Sequence, residues 1–382
     1  MADEMILGFA PPTGKKVEAN RKAAEAEFQR KIDLDMAVSR EVAAGAVKEQ
    51  VVTDQYALYC GDSCQVLPTI PANSIGFSVS SPPFASLYCY SDDPADLSNN
   101  DTVEGFFEHY GFIIEQLYRV MMPGRIVAVH CMELPTHKSS GEEIGIRDFP
   151  GDIVRCFEKF GFIQHSPRIT IWKDPLLAAV RTKAIGLAHK QIVKDSCFCR
   201  PGIPDYIIAF RKPGDNPVRV ANPNGLTEYH GLREVPVELD KYIGWTGEQG
   251  LNKRSHWIWQ QYASPVWFDI DQSYVLPYRK GRAEEDEKHI CPLQLQTIER
   301  CIALWSAPGD VVLTPFLGIG TEAFVAVKNG RKAIGIELKN SYFRVACANV
   351  AAALKVESQR DLLSMVQEEQ IEEVVAADEQ VE

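Results

Sequence analysis

Ile75-Gly76-Phe77-Ser78-Val79-Ser80-Ser81-Pro82-Pro83-Phe84 is the stretch on which the fold turns. A short apolar run closed by a double proline predicts a buried strand that stops abruptly. Neither proline has a backbone N–H, and each fixes its own φ. Each also pushes its predecessor toward extended geometry. The result is a rigid, non-helical corner with unclaimed carbonyls, a serine hydroxyl at its entrance and an aromatic ring at its exit. Such a corner can hold a flat group bearing an exocyclic amine: the hydroxyl and a carbonyl accept its two N–H bonds, and the ring stacks on its face. Taken alone, the same residues read equally as a strand-to-loop turn with a core phenylalanine.

With 382 residues, the chain can form one large domain with an insertion, or two domains. No apolar run approaches the ~18 residues of a membrane span, and Met1-Ala2-Asp3-Glu4 lacks the basic-then-apolar pattern of a signal peptide. Ten cysteines are scattered without a C-x-x-C; Cys60 with Cys64 and Cys197 with Cys199 are the nearest pairs. Zinc sites and disulfide frameworks want other spacings, so reduced thiols, no metal site and a cytoplasmic protein are expected. The net charge of −12 is unevenly spread. Residues 355–382 carry −7, whereas Arg168 to Lys212 carries nine basic residues against three aspartates. That segment reads as a phosphate-contacting patch, with Arg168, Lys173, Arg181, Lys183, Lys190, Lys194 and Arg200 as its candidates, or as a merely solvated face.

Val17, Ala24, Phe28, Ile32 and Met36 stand at near-helical spacing and predict a helical arm within residues 1–50. Tyr56 to Cys60 predicts a strand ended by Gly61-Asp62. A carboxylate there can cap the next helix or face a ligand in the crevice at the strand's carboxyl end. Apolar periodicity predicts a helix from Thr102 to Met122, stopped by Pro123-Gly124. Arg125 to His130, Arg168 to Trp172 and Tyr206 to Phe210 read as strands, with a helix from Asp152 to Phe160. This alternation predicts a parallel α/β sheet with crossovers. Residues 51–212 form its first half, with a basic insertion at about 174–204. From 213 to 287 the periodicity fades and Trp245, Trp257, Trp259 and Trp267 appear. Disordered segments are poor in aromatics, so this is a smaller irregular module with tryptophans in its core. Residues 288–354 resume the sheet at Val311 to Leu313 and Ala333 to Ile336, with helices from Thr321 to Asn329 and from Asn340 to Leu354. The acidic tail, 355–382, reads as solvated.

Thr314-Pro315-Phe316-Leu317-Gly318-Ile319-Gly320-Thr321-Glu322 joins a strand to a helix. Two glycines there let a ligand approach the backbone, with the helix N-terminus behind it. Glu337 ends the next strand, where an acid can take both ribose hydroxyls of a nucleoside. The turn lacks the third glycine of a dinucleotide fingerprint and the G-K-[ST] of a phosphate loop. A nucleoside without a pyrophosphate therefore fits better than NAD or ATP; a tight structural turn is the plain alternative.

Together, S-P-P-F (Ser81–Phe84), H-I-C-P-L-Q-L-Q-T-I-E-R (His289–Arg300) and F-L-G-I-G-T (Phe316–Thr321) resemble the β-class, circularly permuted amino-methyltransferases of DNA, over roughly residues 54–350. The resemblance implies a doubly wound, mostly parallel seven-stranded Rossmann-like α/β sheet, permuted so that the catalytic half comes first. Residues 213–287 stand at the place of the target-recognition region. It implies S-adenosylmethionine as cofactor, double-stranded DNA as partner with base flipping, and a prokaryotic or phage origin. A homodimer and a cognate restriction nuclease are further candidate partners. It makes Ser81, Pro82, Pro83 and Phe84 the catalytic loop. Asp62, Pro315, Phe316, Gly318, Gly320, Thr321 and Glu337 would hold the cofactor, with Pro292 and Gln294 covering its methionine end. The chain departs from the family at Thr314, where Asp usually precedes Pro-Phe; Asp62 or a backbone carbonyl is then left to replace that carboxylate. Serine first and phenylalanine last favour N4 of cytosine over N6 of adenine. His130 and His289 read as structural or loop residues rather than bases. The competing readings are a catalytically inactive DNA-binding relative and an enzyme acting on RNA or a small molecule.

Overall fold

A computed structural model of the chain describes residues 22, 23, 26, 47–84, 93–100, 102–136, 143, 145–175, 189–199, 201–277 and 292–355. Nearly all of the expected N-terminal arm and the tail after 355 lie outside the described residues. So do Arg181, Lys183, Arg200 and His289.

The strands in chain order are β1 (Glu49–Val52), β2 (Tyr56–Cys60), β3 (Ile75–Ser80), β4 (Met121–Met132), β5 (Leu134–Thr136), β6 (Gly145–Arg147), β7 (Ile163–Gln164), β8 (Ile169–Ile171), β9 (Asp205–Arg211), β10 (Val266–Trp267), β11 (Val311–Thr314) and β12 (Lys332–Glu337). Ten form one sheet in the order β1-β2-β12-β11-β3-β4-β9-β8-β10, with β7 also on β9, while β5 and β6 make a separate ribbon. The sheet is thus wider than the expected seven strands. From β2 to β4 every neighbour is parallel; β9 runs antiparallel to both β4 and β8. Strand β11, late in the chain, lies beside the early β3, with Val312 opposite Phe77 and Leu313 opposite Ser78. The Ser78 hydroxyl donates to the Leu313 carbonyl at 2.9 Å. The carboxyl ends of these two strands therefore open side by side.

The helices are α1 (Ser63–Val66), α2 (Val103–Val120), α3 (Phe149–Lys159), α4 (Lys190–Lys194), α5 (Lys253–Tyr262), α6 (Leu295–Trp305), α7 (Thr321–Lys328) and α8 (residues 340–355). Strands β2 and β3 are buried throughout, as parallel strands covered on both faces must be. The period of two sorts them: Tyr56, Leu58 and Cys60 enter one apolar layer with α6, α7 and α8. Ala57 and Tyr59 enter the other, with α2 and α3. Helix α2 buries Phe106, Tyr110, Ile113, Ile114, Leu117 and Val120, each worth about 1.5–3 kcal/mol over an exposed position.

Two expectations are corrected. Helix α2 ends at Val120 and β4 begins at the next residue, so Pro123-Gly124 lies within a strand. The proline cannot complete a ladder, and the β3–β4 register shifts between Ile75 and Phe77. Gly124, at φ 73°, instead donates its N–H to the Lys212 carbonyl at 2.9 Å. The aromatic-rich segment is also stitched into the sheet: β10 pairs in parallel with β8, and Trp267 is fully buried in the layer shared with α6. Arg300 of α6 is fully buried; its guanidinium lies over Tyr262 and Trp267 and donates to Asp269 at 2.8 Å. Trp259, by contrast, is 56% exposed. Among the described residues no helix is long and apolar enough to cross a membrane.

Candidate active site

A cavity of about 430 Å³ opens at the carboxyl ends of β2, β12, β11, β3 and β4. Its wall includes Ser81, Pro82, Pro83 and Phe84 on one side and Pro315, Phe316, Gly318 and Thr321 on the other. Asp62, Glu337, Pro292 and Gln294 complete the set brought together from the sequence. The Ser63 hydroxyl donates to the Pro315 carbonyl at 2.6 Å, tying the end of β2 to the glycine turn. Asp62 caps α1 by accepting the Cys64 N–H at 2.9 Å and also lines the cavity.

Gly318 and Gly320 do different work. Gly318 sits at φ 54°, and a Cβ there would meet nothing within 4 Å, so its bare backbone faces the cavity. Gly320 does not line the cavity. At φ 91°, a Cβ on it would come within 3.1–3.2 Å of Ala346 and Val350. Its missing side chain lets α8 pack against the start of α7. The Glu337 carboxylate accepts the Gly318 N–H at 2.7 Å and the Lys339 N–H at 2.9 Å, which holds the turn in place. Burial nonetheless pushes the Glu337 carboxyl up to about 7, because neutral N–H donors only partly offset the loss of water. The Gln294 side chain belongs to the cavity wall, and its oxygen is buried and, among the described residues, without a partner.

The proline corner carries a network that sequence reading missed. The Ser81 hydroxyl lies 3.0 Å from Nδ1 of His130. The other ring nitrogen of His130 lies 3.0 Å from the Asp205 carboxylate, and Lys173 is 2.6 Å from the same oxygen. Burial alone would raise the Asp205 carboxyl; Lys173, then His130, outweigh it and hold the group well below the usual carboxylate range. With Asp205 ionised, the tautomer that donates Nε2–H to it leaves Nδ1 as the acceptor for the Ser81 O–H. The Phe84 ring lies 6.1 Å from the His130 ring and meets Phe149 edge-on at 6.3 Å, so the exit of the corner is braced from behind. His109 and Phe112, stacked on α2, add a wall that the sequence did not single out. The only available signal was a histidine within a buried strand, β4.

The basic segment is corrected in the same place. Lys173 is buried beside Asp205 in the cavity wall, not on a phosphate-facing surface. Arg168 pairs with Asp148 at 3.0 Å. Lys212, which contributed to the segment's charge, is buried and donates to Asn73 and to the Met121 carbonyl. Lys194 is exposed at the end of α4, and Lys190 starts that helix. Lys173 and Lys212 thus spend their charge inside the molecule.

The sequence pattern of the DNA methylase (N6/N4 methyltransferase) family matches residues 75–348. The chain is 47% identical over 276 residues to the orphan methyltransferase M.BamHII of Bacillus amyloliquefaciens, covering 72% of this chain and 87% of that one. It is 27% identical over 291 residues to the type II methyltransferase M.BglII of Bacillus subtilis, covering 76% and 67% of the two. Among solved structures, the cytosine-N4-specific PvuII DNA methyltransferase superposes with a TM-score of 0.51 at 14% identity, over 81% of this chain and 93% of that one. The Thermus thermophilus protein TTHA0409, complexed with S-adenosyl-L-methionine, superposes with a TM-score of 0.50 at 21% identity, over 78% and 96%. The structures share the fold; the match across most of the chain makes this protein a member of the DNA methylase family.

Proposed function

We propose that this chain transfers a methyl group from S-adenosylmethionine to the exocyclic amine of a base in DNA, N4 of cytosine in preference to N6 of adenine, at a specific site. One observation carries the reading: the proline corner and the glycine turn open into a single cavity. Strand β3, which bears the corner, precedes its sheet neighbour β11, which bears the turn. That order supports the circularly permuted, β-class arrangement. The residues present suit the donor. Gly318 offers bare backbone, Glu337 suits ribose hydroxyls, and Gln294 offers an unclaimed acceptor. Bound there, S-adenosylmethionine would supply a methyl group on a sulfonium, already activated for transfer.

The chain's own residues then position the acceptor. The target base must leave the duplex stack to reach the cavity. The Pro82 carbonyl and the Ser81 oxygen accept the two amine N–H bonds, favouring a pyramidal nitrogen, and Phe84 stacks on the ring. As the nitrogen gains its fourth bond, it must lose a proton. That proton passes to Ser81 Oγ while the Ser81 hydroxyl proton moves to His130 Nδ1, and Asp205 stabilises the imidazolium that results. Lys173 keeps Asp205 ionised. Positioning and electrostatics supply most of the rate, with no covalent intermediate. The chain has no Pro-Cys dipeptide of the kind a ring-carbon methylation would use. Serine at the head of the corner supports cytosine over adenine.

The test is modification-sensitive sequencing of genomic DNA from cells expressing the chain. N4-methylcytosine at one recurring sequence is the expected result, N6-methyladenine selects the other base, and unmodified DNA overturns the proposal.

A further inference from the structure

Five acidic side chains line the cavity: Asp62, Asp96, Asp205, Glu322 and Glu337. Four are engaged. Asp62 caps α1, Asp96 accepts from the Ser98 amide and hydroxyl, Asp205 holds His130 and Lys173, and Glu337 accepts the Gly318 and Lys339 amides. Glu322 is 3% exposed, and among the described residues no cation or side-chain donor meets it. Only its own amide N–H helps it. An unpaired buried carboxylate is costly. Burial first, then the nearby Glu337 charge, pushes the Glu322 carboxyl up to about 8. Such a group gains most when a ligand brings a positive charge to it.

On the reading above, we infer that Glu322, in the first turn of α7, is the carboxylate that receives the cationic α-amine of the methyl donor's amino-acid end. Thr314, at the end of β11, offers only a hydroxyl, buried and, among the described residues, without a partner. The acid is therefore supplied from the helix seven residues after the turn begins at Pro315, rather than from the strand end. Glu337, with both oxygens already anchored, is left for neutral hydroxyls.

The inference is tested by measuring equilibrium binding of three probes to the wild type and to Glu322→Gln. S-adenosylmethionine and S-adenosylhomocysteine both carry the α-amine; 5′-methylthioadenosine lacks the amino-acid end. Loss of one charge-assisted contact should weaken the first two about tenfold and leave the third unchanged. Equal weakening of all three, or of none, overturns the inference. In the wild type, S-adenosylhomocysteine stripped of its α-amine should also bind about tenfold less tightly than the parent. Equal binding overturns the inference even if the variant fails to fold. A wild type that binds none of these nucleosides would instead overturn the proposed function.

Discussion

Ser81 and His130 are 49 residues apart in the chain and meet at 3.0 Å, because β3 and β4 are parallel neighbours whose carboxyl ends align. The proline corner is thereby joined to a histidine that the corner itself does not contain.

Ser81→Ala should lower methyl transfer by roughly 10²–10³ and His130→Asn by at least ~10², in line with general acid–base contributions. Donor affinity should stay unchanged in both. Single-turnover rates set beside calorimetric binding of S-adenosylmethionine check this. A drop in donor affinity matching the loss of rate would assign these residues to binding instead.

Lys173→Met leaves Asp205 buried without its ammonium partner and should destabilise the protein by about 3–5 kcal/mol. The salt dependence of DNA binding should keep its slope, because no phosphate contact is lost. Denaturant melts and binding titrations across salt concentrations measure both. A slope reduced by about one with stability intact would restore Lys173 to the DNA surface.

Gly318→Ala and Gly320→Ala should separate. Both force an alanine into left-handed backbone, at about 1–2 kcal/mol. Only the second also pushes against Ala346 and Val350, so it should cost more stability. The first places a methyl in the cavity and should weaken donor binding more than it weakens the fold. Thermal melts paired with donor titrations read the two effects.

The Glu337 carboxyl is raised to about 7 from an ordinary value near 4.5. A raised carboxyl pKa favours the folded state while the group is protonated. Its contribution is therefore complete below about 4.5 and is lost as pH rises through 7. Melting temperature of the ligand-free protein should fall between pH 5 and pH 8, and Glu337→Gln should flatten that fall. A variant whose pH profile overlays the wild type would contradict the assignment.

The sheet was legible wherever strands were short apolar runs with clear stops. Tyr56 to Cys60 is bounded as expected, and β3 differs only by including Ser80. Local pattern failed at Pro123-Gly124, where helix and strand adjoin without a loop and the punctuation falls inside the strand. The glycine-turn wall of the cavity was legible because its residues are consecutive in one turn. The Ser81–His130–Asp205–Lys173 network was not: its members come from just past β3, from β4 and β9, and from just past β8. Charge counting misled for the same reason, since a lysine's sign does not reveal whether it points to water or to a buried aspartate.

The parallel pairing of Val266 and Trp267 with Thr170 and Ile171 bears on any exchange of residues 213–287 for the matching segment of a relative. A transplant that omitted this two-residue strand would leave Arg300 without its Trp267 neighbour and expose the flank of β8. Chimeras should therefore be joined before Val266, so that the native strand stays, or carry a matching tryptophan and strand from the donor protein. Swaps that run through Trp267 without such a strand should yield insoluble or inactive hybrids.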